Sequence, residues 1–141
     1  MTTFRPVLRQ VEHVDTDASG VVHFARYASL IETALLDNLE RLGTGLDTLA
    51  AAGAELVVSE LRLRYLASAR YPDELSLEAS VDHVGAARAR IAGTVRRSAD
   101  GAELATGTLV LGLVDRADGS PRTLTPELLN VLTEAGTHAA H

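Results

Sequence analysis

The feature that most limits the fold of this chain is one long amphipathic helix among segments that alternate like β-strands. From about residue 24 to residue 42, apolar side chains recur every three or four positions, which predicts a helix with a wide apolar stripe. The residues of this stripe are Tyr27, Leu30, Ile31, Ala34, Leu35, Leu39 and Leu42. Gly43 follows where a C-terminal cap is expected. Such a helix needs a large apolar surface to cover it, and the rest of the chain must supply that surface.

Most of the remaining chain has the period of two that is typical of β-strands. We expect a first strand over residues 4–14 and four later strands over about 55–66, 75–82, 87–96 and 104–114. The last of these is apolar on both faces near its end, which indicates a central position in a sheet. A short helix is expected over residues 45–52.

The final helix is predicted from its N-terminal signals. Thr125 is a hydroxyl N-cap, and Pro126 takes the first helical position. Gly136 is expected to end this helix.

The order of these elements predicts an α+β fold in one domain, residues 1–141. One long helix cannot cover both faces of a five-stranded antiparallel sheet. The economical solution is a curled sheet wrapped around the helix, with its open edge or outer face buried by oligomerisation.

Composition excludes several classes of protein. A formal net charge of −6 argues against a nucleic-acid partner, because binding to phosphate backbones needs a basic surface. No apolar run approaches the roughly 18 residues of a membrane span. The absence of cysteine excludes disulfides, thiolate zinc sites and a cysteine nucleophile. No histidines and acids have metal-ligand spacing, so we expect neither a metal nor another cofactor, and a cytoplasmic location is the default.

A polar turn brings two carboxylates, Asp15 and Asp17, to within a few residues of the long helix. The first amides of a helix have no intrahelical partner and bear partial positive charge. A carboxylate beside them suits acyl transfer: the acid activates water or attacks the carbonyl carbon, and the N–H groups hold the developing oxyanion. The alternative is that both aspartates only cap the turn.

This segment reads DTDASGVV over residues 15–22 and HFARY over residues 23–27, with Glu32 farther along the helix. The pattern closely resembles the signature of the 4-hydroxybenzoyl-CoA thioesterase family, which includes the short acyl-CoA thioesterases found beside bacterial Tol–Pal systems. Weaker resemblance to the same family extends over residues 63–74 and 114–122. It therefore covers nearly the whole chain.

The resemblance implies a hotdog fold and hydrolysis of an acyl thioester of coenzyme A or of acyl carrier protein. It assigns the catalytic carboxylate to Asp17 and the oxyanion contact to the backbone amide of Phe24. It also implies dimers that pair into tetramers, with active sites shared between subunits. We expect the substrate to be contacted by residues that flank these groups, namely Gly20, Val21, Val22 and Tyr27.

Five further side chains have two interpretations each. His23 either assists a proton transfer or is a histidine satisfied at a helix start. Glu32 either faces the substrate cleft or pairs with an arginine. Arg88 and Arg90 lie on the outer face of a strand, where they either bind the nucleotide phosphates or are simply solvated. Arg26 is expected on the solvated side of the helix, with a phosphate contact as the alternative.

The sequence departs from the family pattern at two places. His23 and Phe24 replace the Tyr-His of the Tol–Pal-associated members, and Ser68 replaces a proline. The start of the helix resembles that of the enediyne polyketide thioesterases, which lack an acid matching Asp17. The two resemblances therefore imply either coenzyme A or a carrier protein as the carrier, and low aromatic content favours an aliphatic or polyketide acyl group. Two other functions remain open: a hydratase or dehydratase using His23 with Asp17 or Glu32, and a non-catalytic acyl-binding protein.

Overall fold

An antiparallel sheet and one long helix form the body of the computed structural model, which describes residues 3–139. The elements in chain order are β1 (Val7–Gln10), a 3-10 turn (His13–Asp15), α1 (Arg26–Arg41), α2 (Leu46–Ala51), β2 (Ala54–Tyr65), β3 (Glu74–Val84), β4 (Arg88–Arg97), β5 (Glu103–Asp115), β6 (Pro121–Arg122) and α3 (Pro126–Ala139). The predicted long helix and the four later strands are confirmed to within two residues at each end.

The strand order is β1-β3-β4-β5-β2, and β6 pairs with the end of β5. Every pairing is antiparallel. The central position expected for β5 is confirmed, since β2 and β4 flank it. β1 and β2 are the two edges among the described strands. β6 lies outside the predicted strands, and its two residues pair with Leu113 and Val114.

Helix α1 packs against the inner face of the sheet at a point where two glycines lie side by side. Gly93 on β4 pairs with Gly107 on β5. A Cβ atom added to Gly93 would overlap the side chain of Ile31, and one on Gly107 would lie 2.8 Å from the Leu63 side chain. The absence of both side chains lets α1 approach the sheet closely, which a well-packed core needs.

The first strand is shorter than predicted. It ends at Gln10, and the chain then turns because the carboxylate of Asp15 accepts a 2.9 Å hydrogen bond from the N–H of Glu12. This contact draws residues 13–15 into a 3-10 turn and removes them from the sheet. The expectation of a continuous strand over residues 4–14 was therefore wrong.

Asp15 is the centre of an ion-pair cluster that joins β1, the turn and α1. Its side chain is only 2% exposed. The Nη2 atom of Arg9 lies 2.9 and 3.0 Å from its two carboxylate oxygens. Arg26, the first residue of α1, donates to Oδ1 from Nε at 3.0 Å and from Nη2 at 2.7 Å. The expectation that Arg26 lies on the solvated side of the helix was wrong, because the buried carboxylate requires a partner.

Burial alone would raise the pKa of Asp15, but its hydrogen bond from Glu12 and the guanidinium groups of Arg26 and Arg9 outweigh burial and lower it. A carboxyl group whose pKa is lower in the folded state stabilises the fold when ionised. This stabilisation is complete above the ordinary pKa of the group and is lost as the pH falls through the folded-state pKa.

We predict that Asp15→Asn lowers the free energy of unfolding by about 2 kcal/mol at neutral pH, because the charged hydrogen bonds are lost. The difference from the wild type should shrink as the pH falls below about 4. Urea unfolding at several pH values measures both effects. Asp37→Asn, which changes an exposed carboxylate on α1, is the control and should leave stability nearly unchanged. Equal stabilities of Asp15→Asn and this control would contradict the prediction.

Candidate active site

A cleft of about 650 Å³ opens between the turn before α1, the start of α1 and the end of β2. The residues that line it come from these three segments: Asp17, Val21, Val22, His23, Phe24, Tyr27, Tyr65, Leu66, Ala67 and Ser68. Apolar side chains predominate, with a few polar groups among them, as in many small-molecule sites.

The turn over residues 15–22 is a tight hairpin-like loop. The N–H of Asp17 donates to the carbonyl of Val21 at 2.9 Å, and Thr16 forms an isolated bridge with Val22. Gly20 has a φ of +77°, which permits the sharp reversal. The N–H of Val22 donates to the carbonyl of Ala69 at 2.9 Å. This bond fixes the turn against the segment after β2.

Asp17 both caps the turn and lines the cleft. Its Oδ1 atom accepts from the N–H groups of Ser19 at 2.8 Å and Val21 at 3.3 Å, which makes it a cap for the turn. Its Oδ2 atom forms no hydrogen bond within residues 3–139. The side chain is exposed and lines the cleft. One oxygen therefore holds the carboxylate in place while the other is available to a ligand.

The start of α1 leaves two backbone donors available. The N–H of His23 donates to the carbonyl of Asp15, and the N–H of Arg26 donates to the carbonyl of His23. Between them, the N–H groups of Phe24 and Ala25 have no hydrogen-bond acceptor in the described part of the chain. No side chain caps the N-terminus of this 16-residue helix, and its first turn contains no acid. Its partial positive charge therefore remains available to an anion.

Three aromatic rings form one wall of the cleft. Phe24 is 72% exposed, and its ring meets that of Tyr65 edge-on at a centroid distance of 6.3 Å. Tyr65 also meets the buried ring of Tyr27 edge-on at 5.5 Å. The hydroxyl of Tyr27 accepts the N–H of Ala69 at 3.0 Å. Tyr27 thus joins the helix to the segment after β2.

The structure brings together most of the site residues predicted from the sequence. Asp17, Val21, Val22, His23, Phe24 and Tyr27 all line the cleft. Gly20 shapes the turn but is not one of the lining residues.

Glu32 was expected to face the substrate cleft or to pair with an arginine, and the structure shows neither arrangement among the described residues. It is exposed on α1, outside the set of residues that line the cleft. Five residues separate it from Tyr27, which rotates it by about 140° around the helix axis and away from the cleft.

Arg88 and Arg90 lie on the outer face of the sheet, as expected, and do not line the cleft. Arg90 lies 3.7 Å from the carboxylate of Asp82, at the limit of an ion pair. It also borders a depression of about 380 Å³ together with Glu60, Arg62 and Thr108. Arg88 is exposed and forms no ion pair with a described residue.

Sequence reasoning missed the contribution of β2 to the cleft. Tyr65, Leu66, Ala67 and Ser68 line it, although none was singled out as a site residue. The family resemblance over residues 63–74 was the signal that could have identified them.

Two kinds of feature are absent from the described residues. No helix within residues 3–139 is both long and apolar enough to cross a membrane. The same residues contain no group of three or more histidine, aspartate or glutamate side chains placed to hold a metal ion.

Comparison with known proteins gives concordant results. Solved structures that share the fold include a DHNA-CoA thioesterase from Staphylococcus aureus, with a TM-score of 0.82 and 21% identity over 96% of this chain and 89% of that one. They also include a 1,4-dihydroxy-2-naphthoyl-CoA thioesterase from Synechocystis, with a TM-score of 0.84 and 18% identity over 92% of this chain and 95% of that one. The expected curled sheet around a long helix, the hotdog fold, is confirmed by this likeness.

Sequence comparison identifies a curated relative and a family. The chloroplastic acyl-acyl carrier protein thioesterase ATL3 of Arabidopsis thaliana is 32% identical over 88 residues, which are 62% of this chain. The match spans 46% of the length of that relative. A family model described as the thioesterase-like superfamily matches residues 11–132. Because this match extends over most of the chain and agrees with the family resemblance of the turn, the protein belongs to the thioesterase-like superfamily.

Proposed function

We propose that the protein hydrolyses an acyl thioester of coenzyme A or of acyl carrier protein in the cleft beside α1. The observation that supports this best is the placement of Asp17 and Phe24 in one cleft. The carboxylate of Asp17 has an oxygen without a described partner, and the backbone N–H of Phe24 is equally unpaired. A carboxylate can activate water or attack the carbonyl carbon, and a free helix-start amide can hold the oxyanion, so the pair suits hydrolysis of a thioester.

In the proposed reaction the carbonyl oxygen of the thioester accepts a hydrogen bond from the N–H of Phe24. Asp17 then removes a proton from a water molecule that attacks the carbonyl carbon, or attacks that carbon itself to form an anhydride that water hydrolyses. In both routes the C–S bond breaks and the sulfur leaves with a proton. The helix dipole stabilises the negative charge that develops on the oxygen.

His23 lies in the same cleft as Asp17, and we propose that it assists the transfer of a proton to the leaving sulfur. An imidazole can exchange protons near neutral pH. Because His23 and Asp17 share the cleft, a second candidate function is a hydratase or dehydratase in which these two residues form the acid–base pair. That alternative changes the enoyl absorbance of the acyl group without releasing a thiol.

The acyl group is proposed to be an aliphatic or polyketide chain. Val21, Val22 and Leu66 give the cleft an apolar lining that suits such a chain. The similarity to an acyl-acyl carrier protein thioesterase supports an acyl group carried by acyl carrier protein.

Arg88 and Arg90 are proposed to contact the phosphates of the carrier. Both are exposed on the outer face of β4, and neither has a strong carboxylate partner among the described residues. Guanidinium groups recognise phosphates through paired N–H donors.

The outer edge of β2 is proposed to pair with a second copy of the chain, and the dimers to pair into tetramers. β2 is an edge strand among the described elements, and an open edge promotes association. Val57, Val58 and Leu61 are 37%, 42% and 45% exposed on this strand. Since Tyr65 at the end of β2 lines the cleft, such a dimer would place two active sites at the subunit boundary.

We predict that Asp17→Asn lowers thiol release about 100-fold or more, because an amide is neither a base nor a nucleophile. Its Oδ1 atom can still cap the turn, so the fold should persist. The measurement is thiol release over a panel of short, long, aromatic and β-keto acyl groups on both carriers, with Asp37→Asn as control. Full turnover by Asp17→Asn would rule out its role, and thiol release from no substrate would favour a non-catalytic acyl-binding protein.

We predict that Arg88→Ala with Arg90→Ala raises KM for an acyl-CoA about tenfold and changes kcat little, because only binding of the carrier is weakened. The matched substrate is the same acyl group on pantetheine, which lacks the nucleotide phosphates and should show no change. An equal rise in KM for both substrates would contradict a phosphate contact.

We predict that Leu61→Glu reduces the molar mass in solution, because a charge at the β2 edge opposes pairing. Light scattering after size-exclusion chromatography measures this mass. Leu8→Glu is the control, since Leu8 is 64% exposed on β1, the opposite edge strand. Loss of assembly in Leu8→Glu alone would place the interface on β1.

A further inference from the structure

The hydroxyl of Tyr65 donates a 3.0 Å hydrogen bond to the carbonyl oxygen of Phe24. This contact joins the end of β2 to the start of α1 across 41 positions of the sequence. The same carbonyl receives only a long bond, 3.4 Å, from the N–H of Tyr27. The hydroxyl of Tyr65 is therefore the closer of the two donors to the carbonyl of Phe24.

The carbonyl of Phe24 belongs to the same peptide group as the N–H of Ala25. A hydrogen bond accepted by a peptide oxygen polarises the whole group and makes its N–H a stronger donor. The N–H of Ala25 has no acceptor in the described part of the chain. The preceding peptide has the same arrangement, because the carbonyl of His23 accepts from the N–H of Arg26 at 2.9 Å while the N–H of Phe24 is unpaired.

We propose that Tyr65 is a positioning residue for the reaction: its hydroxyl holds and polarises the Phe24–Ala25 peptide, so that Ala25 supplies a second N–H to the developing oxyanion beside that of Phe24. This inference rests on the proposed thioester hydrolysis. Backbone N–H groups at a helix start are not used within the helix and can donate to a negative oxygen.

Tyr65 acts through its ring, which contacts Phe24 and Tyr27 edge-on, and through its hydroxyl, and a substitution can remove the hydroxyl alone. Tyr65→Phe keeps the ring and both aromatic contacts while it removes the hydroxyl. Tyr71→Phe is a matched control, because Tyr71 is 45% exposed and Tyr65 is 46% exposed. The ring of Tyr71 stacks on that of His13, and its hydroxyl forms no hydrogen bond with a described residue.

The experiment compares both variants with the wild type in kcat, KM, thermal unfolding and the amide NMR spectrum. For Tyr65→Phe we expect a fall in kcat of about fivefold with KM changed less than twofold, the pattern of a contact that matters in the transition state. The amide signal of Ala25 should shift because its peptide loses a hydrogen bond. Tyr71→Phe should leave kcat and this signal unchanged.

Three results would overturn the proposal. Unchanged kcat in Tyr65→Phe would show that the hydroxyl does not support the reaction. A raised KM at constant kcat would make Tyr65 a substrate contact. A fall in kcat matched by a large drop in the unfolding temperature, without a shift of the Ala25 amide, would make its role only structural.

The same measurements separate this inference from the proposed function. If Asp17→Asn retains full turnover, or if no thioester releases a thiol, the proposed function is wrong and the role of Tyr65 falls with it. If Asp17→Asn is inactive and Tyr65→Phe behaves like the wild type, only the inference about Tyr65 is wrong.

Discussion

The interaction on which the geometry of this protein depends is the buried carboxylate of Asp15 with its two arginines. Arg9 comes from the first strand and Arg26 from the first turn of α1, so one side chain joins the sheet, the turn and the helix. Loss of either arginine would leave a buried charge only partly compensated and would destabilise the fold. The three segments are therefore held in one arrangement. Asp17 is only two residues away, and its position relative to the helix start follows from this cluster.

The two aspartates of the turn illustrate what sequence reasoning can and cannot resolve. The sequence pattern placed both carboxylates beside a helix start, and the structure agrees. It did not show that Asp15 is buried, because burial depends on arginines 6 and 11 positions away. Family resemblance distinguished Asp17 as the reactive acid. The geometry is consistent with that distinction, since Asp17 is the one exposed to the cleft.

Periodicity predicted the long helix and the four main strands well, because each has a continuous apolar face. Periodicity gave wrong predictions where a polar contact, and not the alternation of apolar residues, determines the local structure. The first strand ends at Gln10 because a carboxylate bends the chain, and Arg26 turns inward to neutralise that carboxylate. The hydrogen bond of Tyr65 lay beyond periodicity for another reason: its partner at Phe24 is distant in sequence and is a backbone carbonyl, so no side-chain pattern marks it.

The opposed glycines under Ile31 have a mechanical consequence for the start of the helix, which lies five positions before Ile31 at Arg26. Gly93 and Gly107 set how closely α1 approaches the sheet, and a helix moves largely as a rigid rod. A larger residue at either position would displace the whole rod, including the peptide groups at its first turn. Reaction rates respond to shifts of about 1 Å in such groups. If the proposed function holds, residues that touch no ligand would thus affect its rate through the position of the helix.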